Sequence, residues 1–153
     1  EEFPEFKANF QLVLVGNVSA DIKASMDSAK LTSFLKIVGS VTHNEAIMYQ
    51  RKTQVLLLIE ANTTEASYII PGKLFEYIAT KKPILSFGPT ESDVKNILKN
   101  GFGIYHAYKG DVNSIKENIL SVYKNKYVNK DLDSTKYSRK HLTKELVKIL
   151  EKL

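Results

Sequence analysis

The chain has 153 residues, 43% of them hydrophobic and 25% charged, a composition typical of one soluble globular domain. It contains no cysteine, which excludes disulfides, zinc–thiolate sites and thiol nucleophiles and favours a cytoplasmic location. The net charge of +5 permits phosphate-bearing partners, but acids are interleaved with the basic residues, so nucleic acid is not a predicted partner.

Short apolar runs predict five strands, at residues 11–15, 34–38, 55–59, 83–87 and 103–106. Most of these runs are continuous rather than alternating, which is typical of strands buried on both faces of a parallel sheet. Helical signals lie between them. The alternation predicts an α/β fold, a Rossmann-like doubly wound parallel sheet of about five strands with helices on both faces and a C-terminal helix.

Capping residues mark where the helices should begin. Thr42 and Glu45 form a capping-box pattern that opens a helix reaching about Gln50. Other starts are predicted at Pro71, at Thr90 and at Asp111 or Asn113.

The C-terminal part combines a polar stretch with an apolar helical stripe. The stripe is formed by Leu142, Leu146, Ile149, Leu150 and Leu153, and we expect it to dock on its own domain. At the other end the chain opens Glu1-Glu2-Phe3 without a methionine, so we expect it to be a piece of a longer protein.

Residues 69–85 carry the most informative local pattern. Pro71 can start a helix, and Gly72 allows another group to approach that start closely. At about 100° per residue, Lys73 and Glu76 fall on the face opposite the apolar one. The apolar face is formed by Leu74, Phe75, Ile78 and Ala79.

The polar face of this helix has two interpretations. A lysine in the first turn interacts unfavourably with the helix dipole, but a bound diphosphate would make a positive charge at this position favourable. The diphosphate could take hydrogen bonds from free backbone amides and from Lys73. Glu76 could then accept hydrogen bonds from two ribose hydroxyls. The alternative is a surface ion pair between Lys73 and Glu76, and helix spacing alone favours it.

The run from Pro71 to Tyr77, followed by Ala79 and residues 82–85, resembles the donor-site helix and next strand of retaining glycosyltransferases of family four, which have the GT-B fold. Residues 38–45, 55–58 and 88–94 resemble the same family in the same order, so the likeness covers about residues 12–123. It implies a C-terminal, Rossmann-like domain that binds a nucleoside-diphosphate sugar.

The resemblance also implies individual contacts to a UDP- or GDP-sugar, with Glu76 binding the ribose. The other residues it implies are Gly16 and Asn17 in the cleft, backbone near Val41 at the base, and Gly72, Lys73 and Leu74 at the diphosphate or sugar. Tyr68 is a further candidate for nucleotide-sugar binding, because its ring could stack on a base or sugar. Tyr68 stands where the family commonly has a glutamate, and Glu60 or Glu65 in the same loop could replace that glutamate. No catalytic residue, cofactor or protein-bound metal is implied.

The predicted function is therefore sugar transfer from a nucleoside-diphosphate sugar to an acceptor hydroxyl with retention, as in polysaccharide biosynthesis. Residues 1–126 would be a truncated nucleotide-sugar-binding domain and residues 127–153 its connecting arm and C-terminal helix. The acceptor-binding N-terminal domain would lie outside this chain, which should be inactive alone, and the full-length protein could contact a membrane peripherally. The alternatives are a nucleotide-sugar epimerase of GT-B fold and a non-catalytic flavodoxin- or receiver-like module.

Other polar residues receive little functional weight. His43 is expected in the first turn of a capped helix and His141 on a solvent-facing one, whereas His106 follows a strand towards a possible strand exit. The carboxylates of Glu60, Glu65 and Glu91 do not have the spacing of a metal site.

Overall fold

The computed structural model describes residues 3–124 and 133–152. Its strands are β1 Leu12–Val15, β2 Leu35–Gly39, β3 Leu56–Ile59, β4 Ile84–Gly88 and β5 Ile104–Ala107. Its α-helices are α1 Pro4–Asn9, α2 Ala20–Ser28, α3 His43–Lys52, α4 Lys73–Ala79, α5 Asp93–Leu98, α6 Val112–Tyr123 and α7 Arg139–Leu150. Strands and helices alternate through most of the described chain, so the predicted α/β fold is confirmed.

The chain divides into two compact units, the first ending at Lys52 and the second beginning at Thr53. In the first unit, β1 and β2 pair in parallel, with Leu12 opposite Leu35 and an irregularity between Leu14 and Val15. None of the described residues of this unit is fully buried.

The second unit contains a three-stranded parallel sheet in the order β3-β4-β5. Parallel neighbours require crossover connections. Helix α4 lies in the connection between β3 and β4, and α5 lies in the connection between β4 and β5. The core lies where these two helices meet the sheet. Its buried members are Leu56, Leu58, Leu74, Ile78, Ile84, Val94, Leu98 and Phe102.

The predicted strands all occur, each shifted by one residue at most from its expected start. The observed N-caps test two of the predicted helix starts. The hydroxyl of Ser92, and not that of Thr90, caps α5 by accepting from the Val94 amide, so the predicted cap at Thr90 is wrong. Asp111 caps α6 by accepting from the amides of Asn113 and Ser114, which settles the choice between Asp111 and Asn113.

In the described part of the C-terminal segment, Tyr137 packs against the core. Tyr137 lies with its ring centroid 5.5 Å from that of Phe75 and 5.6 Å from that of Phe102. The apolar stripe of α7 does not dock as we expected, because its members stay 52% to 60% exposed: Leu142, Leu146, Ile149 and Leu150. Leu153, and the expected boundary between residues 126 and 127, lie outside the described residues.

Within residues 3–124 and 133–152, no helix is long and apolar enough to cross a membrane.

Candidate functional site

The strand exits of the first unit bring together three of the predicted site residues. The Gly16 amide donates to the carbonyl of Gly39 at 2.8 Å, and the Ser40 hydroxyl donates to Oδ1 of Asn17 at 2.9 Å. Gly16 has φ +116° and so needs a glycine to turn the chain as it leaves β1. Gly16 and Asn17 therefore lie beside the segment that leads to Val41, with Asn17 exposed.

The predicted capping box forms at the residue after Val41. The Thr42 amide donates to Oε2 of Glu45 at 2.8 Å, and the Glu45 amide donates to the Thr42 hydroxyl at 3.3 Å. The Thr42 amide, and then its hydroxyl, hold the pKa of Glu45 below its usual value. These bonds fix the start of α3, so backbone near Val41 has a defined position next to a helix N-terminus.

In the second unit, α4 presents the two polar residues of the family-like segment. Lys73 is exposed and Glu76 is partly exposed, whereas Ile78 is buried. The side chain of Leu74 is fully buried in the core, so any contact of Leu74 with a ligand would have to come from its backbone. Ala79, expected on the apolar face, is exposed.

The backbone at the start of α4 offers fewer hydrogen-bond donors than a sequence argument assumes. The Leu74 amide donates to the Pro71 carbonyl at 2.9 Å, and the Phe75 amide donates to the Gly72 carbonyl at 3.1 Å. An anion at this position would therefore depend mainly on the Lys73 ammonium and on the first amides of the turn.

The loop between β3 and α4 contains the tyrosine and both glutamates considered above. Tyr68 is 78% exposed, so its ring is accessible to a ligand. Glu65 is exposed, and its pKa is lowered by hydrogen bonds from its own amide and then from Thr63. Glu60 is only 7% exposed and its carboxylate is engaged internally. Of the two glutamates, Glu65 is thus the one whose side chain is accessible to solvent.

A network around Glu60 was not predicted from the sequence. The Ser92 hydroxyl donates to Oε2 of Glu60 at 2.6 Å, and the Tyr108 hydroxyl donates to the Glu60 carbonyl. Burial, followed by the interaction with Glu60, raises the pKa values of Tyr105 and Tyr108. The nearest sequence signal is that Glu60, Ser92 and Tyr108 follow strand ends, which does not reveal the pairing.

His106 lies inside the second unit and not at an open strand exit. It is 8% exposed, its ring stacks on Phe87 with centroids 5.7 Å apart, and its Nε2 lies 3.5 Å from Nδ2 of Asn118. Burial lowers the pKa of His106. This environment suits a neutral packed imidazole.

The side chains can provide two kinds of interaction with a ligand. Lys73 supplies a positive charge and Glu76 a hydrogen-bond acceptor one turn further along α4. In the described ranges, no group of three or more His, Asp and Glu residues is arranged to hold a metal ion.

No protein-family model matches this sequence, and no curated protein matches it significantly. The family likeness of residues 71–85 therefore remains a prediction made from the residues themselves.

Proposed function

We propose that the chain is the donor-binding part of a retaining glycosyltransferase and that it binds the nucleoside diphosphate of a sugar donor. The observation that carries this proposal is the start of α4, where an exposed Lys73 and a partly exposed Glu76 share the side turned away from the buried Leu74. This arrangement matches the roles that the sequence resemblance implies for these two residues.

In this proposal Lys73 stabilises the departing diphosphate while an acceptor hydroxyl attacks the sugar. A positive charge held near the leaving group lowers the barrier because it interacts more strongly with the transition state than with the bound donor. Glu76 accepts hydrogen bonds from the ribose and so fixes the nucleotide along the helix. Tyr68 and Glu65, both exposed in the preceding loop, are the candidates for contact with the sugar.

The first test is a titration of the protein with UDP, GDP and inorganic phosphate, followed by heteronuclear NMR. We expect saturable shifts at residues 72–76 with one nucleotide. Glu76→Ala should weaken binding of that nucleotide roughly tenfold to a hundredfold, the range expected for loss of hydrogen bonds to a charged group. Glu91→Ala is the matched control, because Glu91 is an exposed glutamate paired with Lys95.

A second variant separates the two assigned roles. Lys73→Ala should weaken binding of the nucleoside diphosphate and leave binding of the bare nucleoside unchanged, whereas Glu76→Ala should weaken both. Failure of UDP and GDP to produce saturable shifts at millimolar concentration would contradict the proposal. Equal loss in the Glu76 and Glu91 variants would contradict the assignment of Glu76.

A further inference from the structure

Glu60, the first residue after β3, has a carboxylate with few partners for its degree of burial. Its Oε2 accepts from the Ser92 hydroxyl at 2.6 Å, whereas its Oε1 accepts no hydrogen bond within the described part of the chain. Burying a carboxylate with so few donors is unfavourable compared with burying an apolar side chain of similar size. The parts of the structure that Glu60 holds in place can explain why this carboxylate is buried.

The backbone of Glu60 is tied to two other strand exits. Its amide donates to the carbonyl of Phe87 in β4 at 2.9 Å, and its carbonyl accepts from the hydroxyl of Tyr108, the residue after β5. The Ser92 hydroxyl that meets the carboxylate also accepts from the Val94 amide at 3.0 Å and so caps α5. One residue therefore joins the ends of β3 and β5 to the start of α5.

The space for the carboxylate depends on Gly88 at the end of β4. A Cβ on Gly88 would overlap Oε1 of Glu60 and the hydroxyl of Tyr105, and it would lie 2.8 Å from Cδ of Glu60. The Tyr105 hydroxyl donates to the carbonyl of Pro89 at 2.7 Å, which closes this side of the network. The fold accommodates the buried carboxylate by having no side chain on the central strand at this level.

The loop that begins at Glu60 has only two other buried points before α4 is established. These are Ala66, 4% exposed, and Leu74, 0% exposed. Ala66 belongs to the short 3₁₀ helix Glu65–Tyr68, which lies next to α5. The intervening residues are largely exposed, so three anchors determine the path of the loop.

We propose that Glu60 is the positioning residue of the β3–α4 loop. By binding Ser92 and Tyr108 it fixes the first residue of the loop, and it thereby sets where Tyr68 and the start of α4 lie at this edge of the sheet. Glu60 acts through the loop and does not touch a ligand. The inference rests on the proposed function only for the identity of that ligand.

The test is amide hydrogen exchange in the ligand-free protein, which needs no ligand. Glu60→Leu removes the acceptor for Ser92, and we expect the amides of Ile69 and Leu74 to exchange roughly tenfold to a hundredfold faster, the size set by loss of a hydrogen bond to a charged group. Both amides are hydrogen-bonded within the loop and the first turn of α4. The Leu56 amide, bonded to the Pro83 carbonyl at the start of β3, should keep its rate.

Three further variants make this test specific. Glu60→Gln retains an acceptor for Ser92 and should restore slow exchange in the loop. Tyr108→Phe removes the hydrogen bond to the Glu60 carbonyl without altering the carboxylate, and it should increase loop exchange to a smaller extent. This variant keeps the proposal testable if Glu60→Leu does not fold. Glu91→Gln changes an exposed glutamate of the adjacent loop and should leave exchange unchanged.

Unchanged loop exchange in Glu60→Leu would overturn the proposal. So would equal acceleration at Leu56, since that pattern reports a general loss of stability. Titrating the same variants with UDP and GDP adds a functional readout. Nucleotide affinity should be lower in the variants whose loop amides exchange faster. Unchanged affinity in such a variant also overturns the positioning role. If the unaltered protein binds neither nucleotide, the proposed function fails while the exchange rates still decide the role of Glu60.

Discussion

In the first unit, β1 and β2 form a two-stranded sheet whose described residues all keep some solvent exposure, whereas the three strands of the second unit cover a fully buried core. Both sheets are built from similar apolar runs. A third strand and two crossover helices allow the second sheet to bury Leu58 and Leu74 almost completely. A similar strand sequence thus contributes different amounts of stability according to what covers it.

The largest expected effect compares matched leucines of the two sheets. Leu58→Ala in β3 should reduce the free energy of unfolding by about 2–5 kcal/mol, because Leu58 is 1% exposed and its removal leaves a cavity. Leu14→Ala in β1 should cost clearly less, since Leu14 is partly exposed and its site can fill with solvent. Urea unfolding followed by circular dichroism measures both, and equal losses would contradict the comparison.

An intermediate effect is expected at Gly88, where a side chain would meet the buried Glu60. Gly88→Ala should destabilise the protein by about 1–3 kcal/mol, because the new methyl group overlaps Glu60 and Tyr105. Gly72→Ala is the control, since a Cβ on Gly72 meets no atom within 4 Å. Similar melting temperatures for the two variants would show that the space at Gly88 is less restricted than the structure indicates.

The smallest expected effect is a pH dependence confined to the second unit. Because burial lowers the pKa of His106, the folded protein holds a neutral imidazole at pH values where the unfolded chain is already protonated. The stability contributed is complete above the ordinary pKa of about 6.5 and is lost as the pH falls through the lowered value.

Urea midpoints at pH 7 and pH 5 test this dependence. The midpoint should fall more in the unaltered protein than in His106→Gln, while His141→Gln, on the exposed surface of α7, should behave like the unaltered protein. A fall of the same size in all three proteins would assign the pH dependence to other groups.

Local pattern was sufficient to locate the strands and to place Leu74 and Ile78 on the buried face of α4, although Ala79, assigned to the same face, is exposed. It failed for α1 and α2, neither of which contains a fully buried residue. The signals that these two helices carry, a proline in the first turn of α1 and the cap Ser19 on α2, are weak by themselves. The exposed stripe of α7 shows that a clear apolar period does not by itself establish burial.

The sequence likewise predicted some features of the candidate site and missed others. The sequence places Lys73 and Glu76 on the outward side of α4, because their position relative to Leu74 follows from helix geometry alone. It could not distinguish Glu60 from Glu65, since the hydrogen-bond partner of the buried Glu60 carboxylate, Ser92, lies 32 residues further along the chain.

The sequence by itself determined the order of the five strands, the presence of helices α3 to α7 between and after them, and the orientation of α4, since these depend on periods and caps within a few residues. Only the tertiary structure decided that Glu60 is buried, that its carboxylate pairs with the Ser92 hydroxyl, and that Gly88 must lack a side chain. The physical reason is that these three features arise where separate strand exits meet. Burial and hydrogen-bond partners there depend on contacts between residues far apart in the chain.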